Sequence, residues 1–267
     1  SNDPVSGEEG RMIIRRCWIQ GSTGVSEGGA ILLWGYPRDV TLIESTVVID
    51  SVVEPSDSGN SKGGAARLHA LDDLVIRDST FANNRSTQQG GALWIDGTGN
   101  VEMTNTLFSG NRVEDDQGGA FTYNGRDTVL TIDGCGFVDN SAGRASGALW
   151  WASSEQDITV SNSYFVNNEA PAIDDRHTRM PAPADGRGNL EWVVDRPDRG
   201  RVFPDGLFAD PMLRDPTPIS GMLVRPFPSD SPLAGGATSA APERDARGAT
   251  RDAEPDIGPY ELDAVCE

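Results

Sequence analysis

Basic residues are scarce in this chain. Its 267 residues set 22 Lys and Arg and 2 His against 41 Asp and Glu, a net charge of −19. Such a chain repels the phosphates of nucleic acid and anionic membrane surfaces, so neither is an expected partner. Long apolar runs are missing as well, and no stretch approaches the roughly 20 residues of a helical membrane span. No signal-peptide pattern is visible. The opening Ser1-Asn2-Asp3-Pro4 reads as a mature or trimmed start, with upstream sequence expected. There is no His-Glu-x-x-His, no phosphate loop, and His177 stands in no nucleophile motif. Three cysteines do not make a disulfide framework.

What the chain does have is a repeat. Phe, two residues, then Asn recurs at Phe81-Asn84, Phe108-Asn111, Phe137-Asn140 and Phe165-Asn168, at intervals of 27, 29 and 28 residues. A small-residue knot precedes each new Phe, at Gly63-Gly64-Ala65, Gly90-Gly91-Ala92, Gly118-Gly119-Ala120 and the degenerate Ser146-Gly147-Ala148. Two markers in constant order at a fixed period near 28 are the mark of a solenoid. The pattern extends backwards through Gly28-Gly29-Ala30, with Val47 and Asp50, then Trp18 and Gly21, in the Phe and Asn places. That predicts about six coils from Arg11 to about residue 175. The polar stretch Glu54–Ser61 is an inserted surface loop.

Aligning the coils on Phe gives two apolar columns. Val40, Leu74, Val101, Leu130 and Ile158 form one, and Ile13, Leu42, Ile76, Met103, Ile132 and Val160 the other. Polar residues alternate with them, so this segment is a strand with one buried face. After each knot the alternation returns, as in Leu93/Ile95, Phe121/Tyr123 and Leu149/Trp151. The apolar spacing of three and four that a helical repeat needs is absent. The fold predicted is all-β: a single parallel β-helix. Its Phe column lies inside, and an Asn column (Asp50, Asn84, Asn111, Asn140, Asn168) sits at a sharp turn, hydrogen-bonding from coil to coil. Cys135 shares a column with Ser45, Ser79, Thr106 and Ser163 and is expected as a buried free thiol. Cys17 lies four coils away, too far to bond to it, which leaves Cys266 as the only partner for either.

From residue 176 onward the composition changes to Pro, Asp, Arg and Gly with apolar islands, and residues 176–267 are expected to be an irregular segment that packs on or caps the helix. Residues 1–10 form an N-terminal tail. The C-terminal spelling is the more specific: Leu207-Phe208-Ala209-Asp210-Pro211, Ser231-Pro232-Leu233-Ala234-Gly235-Gly236, Asp245-Ala246-Arg247-Gly248 and Asp256-Ile257-Gly258-Pro259-Tyr260-Glu261. It resembles the closing motifs of the choice-of-anchor Q proteins. The Gly-Gly-Ala and Phe-x-x-Asn repeats resemble those of polymorphic outer-membrane proteins. The resemblance implies a secreted, right-handed β-helix and little chemistry. Pro259 replaces the usual Ala, the Ser-Pro motif lacks its usual Asp, and no sorting signal follows Glu261.

The outward columns after the knots are the candidate site. Leu32, Arg67, Trp94, Thr122 and Trp150 form one, and Trp34, His69, Asp96, Asn124 and Ala152 the next. Trp34, Trp94 and Trp150 offer stacking faces for sugar rings, with Asn124 to bond hydroxyls. Arg67, His69 and Asp96 are the catalytic candidates of a polysaccharide lyase or hydrolase. The preferred expectation is a secreted, non-enzymatic protein binding a glycan or cell-surface polymer. Catalysis on that face and a rod self-associating end to end are the alternatives. The competing structural expectation is that the C-terminal segment covers the Trp face. No metal site is assigned. Asp39, Asp72, Asp73, Asp127 and Asp157 read as solvated turn acids, with Ca²⁺ as the weaker reading, because the dense ligand spacing of a dedicated loop is absent.

Overall fold

The computed structural model describes residues 11–35, 40–125, 128–151, 157–171, 178–179, 186–194, 202–203, 205–219, 221–238 and 240–262. It is a right-handed parallel β-helix of about six coils. Each coil contributes to four sheets in turn. The first stacks Arg11–Arg15, Val40–Glu44, Asp73–Arg77, Asn100–Thr104, Val129–Asp133 and Asp157–Ser161. The second stacks Trp18–Gln20, Val47–Ile49, Thr80–Ala82, Leu107–Ser109, Gly136–Val138 and Tyr164–Val166. It continues beyond residue 175 through Leu190–Trp192 and Leu207–Phe208, both pairing in parallel. The third holds short strands from Thr23–Val25 to Ser141–Ala142. The fourth stacks Ile31–Trp34, Ala66–His69, Leu93–Asp96, Phe121–Asn124, Leu149–Trp151 and Thr178–Arg179.

Phenylalanine rings fill the centre. Phe81 and Phe108 lie 5.3 Å apart, Phe108 and Phe137 5.1 Å, and Phe137 and Phe165 4.5 Å, all nearly parallel. Phe203 tilts over Phe165 at 5.3 Å and closes that end of the stack. Beside the rings runs the asparagine ladder. Asn111 Nδ2 donates to Phe81 O, one coil back, and to Asn140 Oδ1, one coil on. Its Oδ1 accepts from both the backbone N–H and Nδ2 of Asn84. Both donors and both acceptor sites of the amide are used, so its complete burial leaves nothing unsatisfied.

The ladder starts one residue later than the spacing suggests. Val48, not Val47, pairs with Phe81 and Ile19 pairs with Val48, so Ser51 takes the ladder place and its N–H donates to Asn84 Oδ1. Asp50 points outward and accepts from Gln20 and Asn83. The first-sheet columns slip with it, and Thr41 and Ile43 are buried where Val40 and Leu42 were expected. Thr46, rather than Ser45, joins Ser79 in the column of Cys135. The insertion is an exposed turn after Val52–Glu54, closed by Ser56 N–H to Asn60 O. The left-handed conformation belongs not to the ladder residues but to those just before them, Asp50, Asn83, Gly110, Asp139 and Asn167.

The knots make the last corner. Gly63, Gly90 and Gly118 have φ of 71°, 63° and 76°. A Cβ on Gly64, Gly91 or Gly119 would collide with the carbonyl of the next coil's glycine. Only glycine fits a backbone packed so tightly along the rod.

Among the described residues, Thr178–Arg179 of the C-terminal segment pairs edge to edge with the Trp-bearing strand Leu149–Trp151, and the segment's apolar core packs elsewhere. Met222, Val224, Phe227, Leu233, Ile257 and Tyr260 pack with Leu107, Val138, Tyr164 and Val166 on the outer face of the second sheet. Asn162 Oδ1 accepts from the Thr238 N–H, and Arg251 donates to Asn105 Oδ1. The motif residues that carry the resemblance knit this segment together. Buried Arg251 pairs with Glu261, and Asp245 accepts from Arg247 and from the Glu261 N–H.

Asn111→Leu removes the donor to Phe81 O and the acceptor shared by the Asn84 backbone N–H and one Nδ2–H. It is expected to cost at least about 1–3 kcal/mol. Phe137→Ala opens a cavity in the stack and is expected to cost about 3–5 kcal/mol. Thermal melts of both variants check these values, and an unchanged melt for Asn111→Leu contradicts the ladder. Cys135 is a fully buried free thiol that donates to the backbone carbonyls of Met103 and Asp133, and burial pushes its pKa up to about 12. Cys17 is a part-exposed free thiol, and its suggested partner Cys266 lies outside the described residues. In the folded protein a thiol reagent is expected to label Cys17 quickly and Cys135 only at the rate of unfolding. Equal labelling of the two thiols contradicts this placement.

Candidate functional site

The candidate site lies where the fourth sheet turns into the first sheet of the next coil. Strand register sets its residues in columns. Trp34 pairs with His69, His69 with Asp96 and Asp96 with Asn124. Three coil steps make this line about 14 Å long. Adjacent members touch. The rings of Trp34 and His69 are 4.2 Å apart at 51°. His69 Nδ1 lies 3.2 Å from Asp96 Oδ2, and Asn124 Nδ2 donates to Asp96 Oδ1 at 3.0 Å. Ala152 lies outside the described residues.

The neighbouring column, Leu32, Arg67, Trp94, Thr122 and Trp150, also points out of the barrel but is largely covered. Trp34 is 62% exposed, whereas Trp94 and Trp150 are 6% and 8% exposed. The three tryptophans therefore do not form one open face. The cause lies in the knots. Each knot is preceded by a residue that bridges to its counterpart on the next coil, in the series Glu27, Lys62, Gln89, Gln117 and Ala145. The Glu27 and Lys62 side chains lie beside the outward column: Lys62 Nζ sits 4.0 Å from the Trp94 ring centre and Glu27 ion-pairs with Arg67, while the Gln117 backbone carbonyl accepts from the Thr122 hydroxyl.

Arg67 joins the two columns. Its guanidinium lies 4.7 Å from the Trp34 ring and 4.1 Å from the Trp94 ring, and 3.9 Å from Asp96. Burial draws its pKa down while Asp96 raises it. At 5% exposure, and held by Glu27, it positions the site rather than facing a substrate.

A groove of about 460 Å³ opens beside this line, lined by Asp72, Asp96, Thr98, Asn124 and Thr128 among others. Leu71 separates it from a smaller cavity of about 150 Å³ against Trp34, Leu33 and Arg11. A larger depression of about 860 Å³ lies at the opposite corner of the rod, between Asp139, Asn167, Glu169 and Val194. No aromatic ring lines it, so a sugar ring finds no stacking partner there.

With its Nδ1 toward Asp96, His69 has the orientation of a general base whose Nε2 is free. Its hydrogen bond to Asp96 is the only one it makes among the described residues. Gly24-Val25-Ser26-Glu27-Gly28 spells the Gly-x-Ser-x-Gly of a nucleophile elbow, against the expectation that the chain holds no such motif. The structure gives it no matching context, because the strand Thr23–Val25 leads into a further strand rather than a helix. Of the turn acids, Asp73 accepts from Asn100, and Asp39 and Asp127 lie outside the described residues. Among the described residues no group of three or more His, Cys, Asp or Glu gathers to hold a metal ion.

A family model for the right-handed beta helix region matches residues 5–178, more than half of the chain. The chain belongs to that family. No curated protein and no solved structure matches it. The right-handed β-helix fold is compatible with surface and extracellular proteins and with polysaccharide-acting enzymes, and it selects neither.

Trp94 and Trp34 separate packing from surface chemistry. Trp94→Ala is expected to destabilise the fold by about 3 kcal/mol, because it removes a buried ring and two cation contacts. Trp34→Ala is expected to stay within about 0.5 kcal/mol of the parent. Urea melts of the pair check this, and equal losses contradict the covered column.

Proposed function

We propose that the protein is an extracellular glycan-binding β-helix that holds a polymer along the line Trp34, His69, Asp96 and Asn124. The observation that carries this reading is the exposed Trp34 ring, continuous with three polar side chains spaced one coil apart. A linear glycan needs a stacking platform followed by hydrogen-bonding groups at regular rise. The scaffold supplies both without an induced fit, because strand register fixes every position. The closing motifs that resemble choice-of-anchor Q proteins, and the acidic surface, favour secretion or display at a cell surface over an anionic-membrane or nucleic-acid setting. No helix among the described residues is long and apolar enough to cross a membrane.

One observation favours a second reading. The His69–Asp96 contact gives the same line an acid–base group, which a lyase or hydrolase acting on a bound polymer would use. Arg67, the other basic candidate, is engaged by Glu27 and turned away from solvent, so binding remains the preferred function. End-to-end self-association draws support from the first coil, where Met12, Ile13, Trp18 and Leu32 are exposed, but Phe203 covers the far end of the Phe stack.

Glycan-array screening followed by titration tests the preferred reading. Trp34→Ala is expected to weaken binding at least tenfold, about 1.4 kcal/mol, with an unchanged melt. Unaltered affinity in that variant contradicts it. Chain cleavage that His69→Gln abolishes would establish the catalytic reading instead.

A further inference from the structure

We infer that the glycan held at Trp34 carries a short acyl substituent, of the size of an acetyl group, and that the small cavity against Trp34 receives it. This rests on the proposed binding function and goes beyond it by naming a chemical group on the ligand. The cavity, about 150 Å³, is lined by Met12, Leu33, Trp34, Thr41 and Leu71 among others. Of these, Trp34 and Met12 are exposed, and Leu71 and Thr41 are buried. The cavity therefore leads from the stacking ring down to a covered floor. A space of this size is enough for a benzene-sized guest, and so for a short acyl group.

Thr41 identifies the guest. It is 1% exposed, and its hydroxyl has no hydrogen-bond partner among the described residues. Strand register places it in the inward column that the later coils fill with Leu74, Val101, Leu130 and Ile158. The repeat thus calls for an aliphatic side chain here, and a buried hydroxyl without a partner costs the fold stability. A ligand acceptor removes that penalty. Apart from the exposed Arg11, the other side chains that line the cavity are apolar, so the guest has an apolar end as well. An acetyl group combines the two. Its carbonyl oxygen accepts from the Thr41 hydroxyl, and its methyl packs on the leucines. A sugar hydroxyl offers the bond without the methyl, and a deoxy-sugar methyl offers the packing without the acceptor. A carboxylate on that floor would be a full charge among leucines.

The test is a glycan array of matched sets, each one backbone in hydroxyl, acetylated and uronate form. β-1,4-Linked oligomers of glucose, N-acetylglucosamine and glucuronate make one such set. The set bound most tightly is then titrated calorimetrically with the full chain. The acetylated member is expected to bind about tenfold or more tightly than the hydroxyl member. Thr41→Val keeps the branched shape without the hydroxyl. It is expected to lose most of that preference, to keep its affinity for the hydroxyl member and to melt no lower than the parent. Thr41→Leu fills the cavity and is expected to lose the preference too. Equal binding of the acetylated and hydroxyl members, tighter binding of the uronate, or a preference that survives Thr41→Leu would each overturn the acyl assignment while leaving a glycan-binding protein. A lower melt for Thr41→Val would show that the hydroxyl serves the fold and would overturn it as well. Silence of the whole array would overturn the binding function and this inference together.

Discussion

The asparagine ladder is the constraint on which everything else depends. Asn84, Asn111 and Asn140 each carry a buried amide whose partners lie on the coils before and after it, and Asn168 ends the ladder with partners on the coil before. An amide in that position cannot slide by one residue without stranding several polar groups in the core. Coil register is thus fixed at one point on the circumference and transmitted around the rest of the coil by the parallel strands. The Phe stack beside the ladder supplies burial. The amides supply the register that hydrophobic contact alone leaves loose.

Function, in this account, follows from register. Trp34, His69, Asp96 and Asn124 lie 27 to 35 positions apart in sequence, yet touch one another because each occupies the same step of the fourth sheet. The glycine knots decide which outward column stays open. They bring Glu27 and Lys62 against the nearer column, so Arg67 and Trp94 become packing, while Trp34 in the column two residues on stays at the surface. The same residue type thus plays two roles: Trp94 is a buried plate between cations, and Trp34 an exposed plate resting on His69 and Arg67.

Much of the fold was legible because its markers are large or peculiar. Phe and Asn at a fixed period announce a stacked core and a ladder, and paired glycines announce a corner. The slip at the second coil arose because Val47-Val48 and Asp50-Ser51 each offer two adjacent residues of suitable type, and side-chain size alone does not choose between them. The pairing of Val48 with Phe81, and of the Ser51 N–H with Asn84, makes that choice. Outward direction at the candidate site was legible from alternation, whereas exposure was not. Alternation says which side of a strand a residue faces and nothing about what another segment lays over it. The fate of the C-terminal segment was illegible for the same reason: its apolar islands find the second sheet through contacts far apart in sequence, such as Arg225 with Ser109 and Thr238 with Asn162.

Native-state hydrogen exchange tests the central claim most directly. The backbone amides of Asn84, Asn111 and Asn140 donate to the next ladder asparagine. If the ladder fixes the register on which the candidate site depends, these amides exchange together and only through global unfolding. Exchange of any one of them at the rate of exposed turn amides, such as that of Ser58 in the inserted loop, would contradict the account.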